Sequence, residues 1–361
     1  MQTISNETLQ QYTDLLKSNE KVMPDIYLAL LSQLNPQQQD WLRQQAAQTA
    51  VGQFGKGIYV RALIEISNYC KNNCYYCGIR CANTTIQRYR LTQEQIIEAC
   101  QKADQLGFKT FVLQGGEDPQ QNDEWMVQLI TNIKTLFPQH AITLSIGERD
   151  KEAYRRFKQA GADRFLLRHE TYNAKHYCQL HPHNMSRDNR INCLRQLKEL
   201  GYQTGTGIMV GSPYQTMQDI VEDILFMEQL LPEMIGIGPF IATPNTPFEQ
   251  QASGTVDQTT LLLALLRLRF PKALIPATTA LTALDDHGRE KAILSGANVI
   301  MPNVSPPDAR EKYAIYTKKN IFSETADAIA DIQNRVNNIG YHIDWTRGDY
   351  PLTIKQQNNH V

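Results

Sequence analysis

Apolar and polar positions follow one another along this chain in a repeated succession of strand-like and helix-like segments. Short β-branched or apolar runs occur at eight places, and a stretch with helical periodicity follows each of them. The predicted strands are residues 59–67, 110–114, 141–146, 163–168, 203–210, 235–240, 273–277 and 297–301. The helix-like stretches open at Thr92, Asn122, Asp150, Ser186, Thr216, Asp257 and about His287, and a last one begins near Ser323.

Eight strands that each precede a helix predict the α/β class and a parallel (β/α)8 TIM-type barrel. A doubly wound open sheet is the alternative, and a count of eight strands favours it less. In such barrels the chemistry sits at the carboxyl ends of the strands and in the loops after them. We therefore look for functional residues in those loops.

The ends of the chain lie outside this repeat. Residues 1–55 read as three amphipathic helices over residues 6–17, 24–34 and 36–48, with Asn6 in position to cap the first. No low-complexity tract or long linker divides the sequence. We predict an N-terminal helical extension over residues 1–55, a barrel over residues 56–310, and a C-terminal helical extension over residues 311–361 that closes the barrel.

The charge balance and the hydropathy exclude several classes of protein. The chain has 36 Lys and Arg against 37 Asp and Glu, which argues against a broad nucleic-acid-binding face. Its longest apolar runs, such as residues 261–266, are far shorter than the roughly 20 residues that span a bilayer. No signal peptide is visible at the N-terminus. We expect a cytoplasmic protein that binds neither membrane nor nucleic acid.

The cysteines are concentrated in one loop. Cys70, Cys74, Cys77 and Cys81 fall within 12 residues directly after the first predicted strand, and no cysteine follows Cys193. The first three form a C-x3-C-x2-C motif, whose thiolates suit soft metals such as zinc, copper(I) or an iron–sulfur cluster. A structural zinc site needs four closed ligands, usually from two C-x2-C pairs. Three thiolates on a four-iron cluster would leave one iron open, which is a catalytic arrangement.

The remaining cysteines have simpler interpretations. Cys81 is a candidate fourth ligand, but a fully thiolate-ligated cluster has no open iron, so we prefer a free loop thiol. Cys100, Cys178 and Cys193 fall in helix-like segments and are expected to be buried or partly buried.

The motif resembles that of the radical S-adenosylmethionine (SAM) enzymes, with Tyr76 just before its last cysteine. Further segments narrow the resemblance to the HydE family, the radical SAM maturases of FeFe hydrogenase. These segments are residues 68–80, 88–91, 114–119, 167–171, 237–240, 276–280 and 296–303. The resemblance covers nearly the whole chain, although the cysteine motif alone identifies only the superfamily.

The resemblance implies the cofactors and their ligands. Cys70, Cys74 and Cys77 would hold a 4Fe-4S cluster, and SAM would chelate its open iron and be cleaved reductively to a 5′-deoxyadenosyl radical. Some members carry a second cluster on C-terminal cysteines, which this chain lacks, so we expect one cluster. The implied SAM-binding residues are Tyr76, Gly115, Gly116, Glu117, Arg168, Glu170, Arg190 and Met209.

Several of these residues also have ordinary structural interpretations. Tyr76 could simply cover the cluster, and Met209 could be a core methionine. The Gly115-Gly116-Glu117 segment suits either close approach to a ligand or a tight β–α turn. Arg168 and Glu170 could form a structural ion pair at a strand end instead of contacting ligands, since residues i and i+2 of a strand face the same way.

The resemblance also implies a substrate and partners. The substrate would be a small or organometallic molecule, namely a cysteine-bound iron carbonyl–cyanide precursor of the hydrogenase H-cluster. The maturases HydG and HydF would be transient partners, and a low-potential electron donor would be required. The residues implied at the substrate end are Gln114, Arg168, Thr278, Thr279, Tyr313 and Tyr316. His169, His181, His183 and His287 do not have the spacing of metal ligands, so we assign them no role.

Three other functions stay open at this point. A lysine mutase like methylornithine synthase shares the barrel and the cysteine loop, although residues 167–170 and 276–279 favour the maturase. Biotin synthase needs a second cluster on strand cysteines, and none of the predicted strands carries one. In a different class, the barrel could be a non-catalytic metal-binding scaffold.

Overall fold

The computed structural model of the protein describes residues 3–313, 325 and 328–351. Three helices precede the first strand: α1 Asn6–Lys17, α2 Pro24–Ser32 and α3 Pro36–Phe54. Ser5, and not Asn6, caps α1, since its side chain accepts a hydrogen bond from Thr8 N–H. A capping box at Asn35 and a proline in the first turn start α3, which extends six residues beyond its predicted end.

The strands pair in parallel. Their bounds are β1 Gly57–Val60, β2 Ala62–Ser67, β3 Thr110–Gly115, β4 Ala141–Ser145, β5 Arg164–Leu166, β6 Gln203–Thr206, β7 Met209–Val210, β8 Met234–Ile235, β9 Gly238–Pro239, β10 Val299–Ile300 and β11 His342–Asp344. Six of them form one sheet in the order β2-β3-β4-β5-β6-β8, while β7 pairs with β9 and β1 pairs with both β10 and β11. Every one of these strand pairs is parallel.

Isolated bridges close this sheet into a barrel. Leu274 bridges to Met234 on β8, and Pro276 bridges to Val299 on β10, which returns to β1. The predicted α/β barrel is therefore confirmed, with all eight predicted strand regions in the wall. The seventh region makes only these two bridges, because Pro276 has no N–H to donate to a ladder.

Helices alternate with the strands around the barrel. Their bounds are α4 Gln93–Gln105, α5 Asp123–Leu136, α6 Lys151–Ala160, α7 Ala174–Leu180, α8 Arg187–Glu199, α9 Met217–Leu230, α10 Val256–Arg269, α11 Thr279–Leu284, α12 Gly288–Ile293, α13 Pro307–Lys312 and α14 Ile329–Asn338. Thr92, Asn122, Asp150, Ser186 and Thr216 are N-caps, as their side-chain chemistry predicts. The short helices α7, α11 and α13 were not predicted. Ser323, the predicted start of the last helix, lies outside the described residues.

The segment from β11 onwards covers the amino-terminal end of the barrel. The guanidinium of Arg164, fully buried on β5, donates hydrogen bonds to the carbonyl of Arg347 (2.9 Å) and to the carboxylate of Asp349 (2.7 Å). This end is thereby closed by the chain itself, and the opposite end faces the loops that carry the cysteines. In the part of the chain that the structure describes, no helix is long and apolar enough to cross a bilayer.

Candidate active site

The cysteine loop begins directly after β2, at the carboxyl end of the barrel. Cys70, Cys74 and Cys77 are partly buried and line one cavity of about 390 Å³, whereas Cys81 is exposed. The loop closes on itself where Cys81 N–H donates to the carbonyl of Asn72 (2.9 Å). Three of the four clustered cysteines therefore face the interior. Of the helical cysteines, Cys100 and Cys193 are buried, but Cys178 is exposed on α7, contrary to expectation.

Burial raises the pKa of each of the three interior thiols. Burial and then the neighbouring Cys70 raise the pKa of Cys77 to about 12. The pKa of Cys74 is raised by burial and then by Cys77. Cys70 and Cys77 therefore each raise the pKa of a neighbouring thiol, and a bound cation among the three would favour the thiolate forms.

Arginine side chains hold this loop in shape. The Arg88 guanidinium donates to four main-chain carbonyls, those of Asn68, Ile79 (2.8 Å), Arg80 (2.6 Å) and Asn83 (2.9 Å). Two residues on, Arg90 lies 3.4 Å over the ring of Tyr69 and pairs with Asp118 (2.6 Å). No role was predicted for Arg88 or Arg90. The only indication in the sequence was the Arg-Tyr-Arg segment itself, an unusual pair of cations before a helix cap.

The Gly115-Gly116-Glu117 segment lies against the cysteine loop. A Cβ atom at Gly116 would lie 2.2 Å from the Tyr69 carbonyl oxygen and 2.7 Å from Cys70 Cβ. The Glu117 carboxylate is buried, pairs with Lys71 (3.3 Å), and accepts a hydrogen bond from Glu148 N–H (2.9 Å). All three residues line the cavity. Gly116 therefore permits close approach to the cysteine loop. The contacts of this segment bring together the loops that follow β2, β3 and β4.

Arg168 and Glu170 form a bidentate ion pair in the wall of the cavity. Arg168 Nε and Nη2 lie 3.0 and 2.7 Å from the two carboxylate oxygens of Glu170. Glu170 has a positive φ of 65°, which is rare for a residue with a side chain. Its N–H donates to the carbonyl of Gly207 (3.1 Å). A strained backbone at a cavity wall is typical of functional sites.

Arg190 reaches the same cavity from α8. Its guanidinium pairs with Glu148 (2.5 Å) and donates to the carbonyl of Arg168 (3.3 Å). Although burial opposes the charge, Glu148 holds the pKa of Arg190 above its usual range. The site thus contains a buried, permanently charged cation beside the Arg168–Glu170 pair.

Tyr76 and Met209 belong to one apolar group at the rim of the cavity, with Leu180, Phe240 and Phe248. The Tyr76 hydroxyl lies 3.1 Å from His181 Nε2, and the two rings meet edge to face. His181, which had no predicted role, therefore orients the tyrosine of the cysteine motif. The structure brings Tyr76 and Met209 together although they are far apart in sequence.

The residues expected at the substrate end line the same cavity. Gln114 Nε2 lies 3.4 Å from the hydroxyl of Tyr313, and Thr278 Oγ1 donates to the carbonyl of Ile237 (3.2 Å). Thr279 begins α11 at the cavity wall. Tyr316 lies outside the described residues. Five further polar residues that line the cavity had no predicted role: Glu65, Asn72, Ser145, Thr282 and Asn303. Only Glu65 could have been noticed, as a charge within an otherwise apolar strand.

Comparison with known proteins decides the family. Residues 64–227 match the family model described as the Radical SAM superfamily. The chain is 44% identical to the FeFe hydrogenase maturase subunit HydE of Thermotoga maritima over 79% of this chain and 82% of that protein. The chain belongs to the radical SAM superfamily.

The chain is also similar to methylornithine synthase, in sequence and in structure. The 3-methylornithine synthase of Methanosarcina acetivorans is 30% identical over 85% of this chain and 86% of that protein. The crystal structure of methylornithine synthase (PylB) superposes with a TM-score of 0.82 at 26% identity, covering 92% of this chain and 97% of that chain.

As a radical SAM enzyme, the protein uses SAM and a 4Fe-4S cluster, and its interior thiols fit such a cluster. Among the described residues, no three His, Cys, Asp or Glu side chains are arranged to hold one metal ion. A cluster engages each thiolate through a different iron, so three spaced thiols that line one cavity suit it. The acidic, basic and apolar groups around them suit a zwitterionic cofactor with an aromatic ring.

Proposed function

We propose that this chain is a HydE-type maturase, which acts on a cysteine-bound iron carbonyl–cyanide precursor during assembly of the FeFe-hydrogenase H-cluster. The observation that carries the proposal is the 44% identity with the Thermotoga maritima HydE subunit over most of both chains. The identity with methylornithine synthase, over a similar share of the chain, is 30%. The difference supports the maturase over the mutase.

In this proposal Cys70, Cys74 and Cys77 hold a single 4Fe-4S cluster. The absence of cysteines after Cys193 supports one cluster, because a second needs further thiolates. When bound and reduced, the cluster supplies the electron that cleaves SAM to methionine and a 5′-deoxyadenosyl radical. The surrounding protein must bind the cofactor and keep water away from the radical.

The proposed SAM contacts follow from charge and shape. Arg190 is a buried guanidinium and suits the carboxylate of SAM, while the Glu170 carboxylate suits its ammonium group or ribose hydroxyls. Tyr76 and Met209 offer an apolar surface for the adenine ring. The segment of Gly115, Gly116 and Glu117 would lie beside the amino-acid end of SAM.

The proposed substrate contacts line the same cavity. Gln114 and Tyr313, which contact each other, offer donors and acceptors on one side. On another side of the cavity, Thr279 would offer its hydroxyl to an anionic carboxylate, and Thr278, whose own hydroxyl donates to the Ile237 carbonyl, would offer its backbone N–H. Arg168 is proposed to contact both SAM and the substrate. Transient contacts with HydG and HydF, a low-potential electron donor and a cytoplasmic location complete the proposal.

Complementation of a hydrogenase-maturation strain that lacks its own HydE tests the proposal. We expect the wild-type chain and Cys81→Ser to restore hydrogenase activity, and Cys74→Ser to fail. Cys81 is the matched control because it lies in the same loop but is exposed. In reconstituted protein, Cys81→Ser should keep about four irons. Loss of iron in that variant would show that the ligands are wrongly assigned.

Methylornithine synthase activity is the second candidate, favoured by the TM-score of 0.82 with PylB. Anaerobic incubation of the reconstituted protein with SAM, a strong reductant and L-lysine distinguishes the two. Conversion of lysine to methylornithine, together with failure of complementation, would overturn the maturase assignment.

A further inference from the structure

His169 lies between two cavity residues but faces away from the cavity. Arg168 and Glu170 line the cavity, whereas the imidazole of His169 is fully buried against α9. Its Nδ1 lies 2.8 Å from Thr206 Oγ1, and its Nε2 lies 3.2 Å from Asp223 Oδ1. A carboxylate only accepts hydrogen bonds, so Nε2 carries a proton and donates to Asp223.

Asp223 forms hydrogen bonds to residues on both sides of Glu170. The carboxylate is fully buried on α9, and its Oδ1 also accepts a hydrogen bond from Tyr172 N–H at 2.5 Å. Phe226, on the same helix, meets the His169 ring edge to face and stacks on the Tyr172 ring. One helix therefore fixes residues immediately before and two positions after Glu170.

Glu170, which lies between these fixed residues, has a strained backbone. A non-glycine residue in the left-handed region costs about 1–3 kcal/mol and persists only where its surroundings determine it. At Glu170 the strain turns the side chain back towards Arg168, two residues earlier, and permits the bidentate pair. Without the contacts to α9, Glu170 could relax to negative φ, and the carboxylate would leave that position.

We propose that His169 and Asp223 are positioning residues that hold Glu170 in its left-handed conformation, so that the Arg168–Glu170 pair faces the cavity in the geometry that binds SAM. The proposal rests on the proposed role of Glu170 in SAM binding. In this role His169 acts on Glu170 through the backbone that joins them and through its own buried contacts with α9. It acts neither as a metal ligand nor as an acid.

The test measures SAM binding and cleavage in reconstituted holoprotein. Equilibrium binding of SAM without reductant gives Kd, and 5′-deoxyadenosine release with reductant gives KM and kcat. For Asp223→Ala, which removes the acceptor of both hydrogen bonds, and for His169→Asn we expect Kd and KM for SAM to rise about tenfold, with iron content and kcat at saturating SAM close to wild type. Thr206→Val, which removes only a hydroxyl, should raise Kd by a smaller factor and serves if the other variants do not fold.

His140→Asn is the matched control. His140 is also buried and also pairs with an aspartate, Asp104 (2.9 Å), but it lies at the amino-terminal end of β4. An equal rise in Kd for this control, or an unchanged Kd for Asp223→Ala, would overturn the proposal. Glu170→Gln separates the positioning role of His169 and Asp223 from the SAM-binding role of Glu170. If Glu170→Gln raises Kd and Asp223→Ala does not, only the positioning role fails. If Glu170→Gln leaves Kd unchanged, the role of Glu170 in SAM binding fails first.

Discussion

The contact between Gly116 and the cysteine loop gives a prediction whose size follows from the structure. In Gly116→Ala, the new methyl group would lie 2.2 Å from the Tyr69 carbonyl oxygen, and real Cβ atoms essentially never come within 3.0 Å of a neighbour. The backbone beside Cys70 must therefore move by about 0.8 Å, the difference between these distances. Overpacking of this kind costs about 1–3 kcal/mol of stability.

The functional effect should exceed the effect on stability. A displacement of about 1 Å in a catalytic arrangement can lower rates about a hundredfold, so we expect SAM cleavage by Gly116→Ala to fall by that order. Iron content after anaerobic reconstitution should fall as well, because Cys70 moves with the backbone. Iron and sulfide analysis, 5′-deoxyadenosine release and thermal unfolding of the apoprotein measure the three effects.

Two other glycines provide graded controls. A Cβ at Gly115 would lie 3.2 Å from Ile66 Cγ1, a tight but tolerable contact, so Gly115→Ala should have an intermediate effect. Gly52 lies within α3 with nothing within 4 Å of its Cβ position, so Gly52→Ala should stabilise the apoprotein by about 0.5–1 kcal/mol and leave cleavage unchanged. Wild-type iron content and cleavage in Gly116→Ala would refute the reasoning.

Three further predictions concern other parts of the chain. Arg88→Lys should lower apoprotein stability by about 2 kcal/mol and speed iron loss to a chelator, because an ammonium group cannot reach four carbonyls; unchanged iron retention would contradict this. Burial opposes ionisation of Asp349, but Arg347 and Arg164 hold its pKa well below the usual range. Because its pKa is lowered in the folded state, ionised Asp349 stabilises the fold above about pH 4, and this stabilisation is lost on acidification. The difference in unfolding free energy between wild type and Asp349→Asn, measured by urea titration, should therefore shrink from about pH 7 to about pH 3. Leu231→Gly should stabilise the protein by about 1 kcal/mol in the same assay, since Leu231 is an exposed helix C-cap with φ 51°, and destabilisation would show that its side chain contributes more than its strain.

The sequence predicted those elements whose causes are local. Thr92 and Asn122 start helices because their side chains accept hydrogen bonds from backbone N–H groups three residues on. The eight strand regions followed from apolar runs of strand length, and they are the regions found in the barrel wall. Where the prediction was less accurate, at the seventh strand, Pro276 limits pairing to isolated bridges.

The candidate site was predictable only as far as its residue types suggest chemistry. The three thiols and the Arg168–Glu170 pair could be named from spacing and resemblance. The left-handed conformation of Glu170 could not, because glutamate has no preference for it and the contacts that hold it come from α9. The four acceptors of Arg88 were equally unpredictable, because any exposed loop can present carbonyls and only the folded path brings these four together.

The loops that follow β2, β3 and β4 contact one another. These contacts explain why the shape of the cysteine loop depends on residues other than its cysteines. Gly116 admits the backbone of the cysteine loop, and the next residue, Glu117, pairs with Lys71 inside it. Glu117 in turn fills the space over Gly147, where a Cβ would lie 2.1 Å from its Cγ. A side chain at Gly147 would therefore displace Glu117, and through Lys71 the loop that carries Cys70. Because each loop contacts the next through a glycine, the three loops form one unit. The positions of the proposed cysteine ligands are therefore determined by this unit and not by the cysteine motif alone.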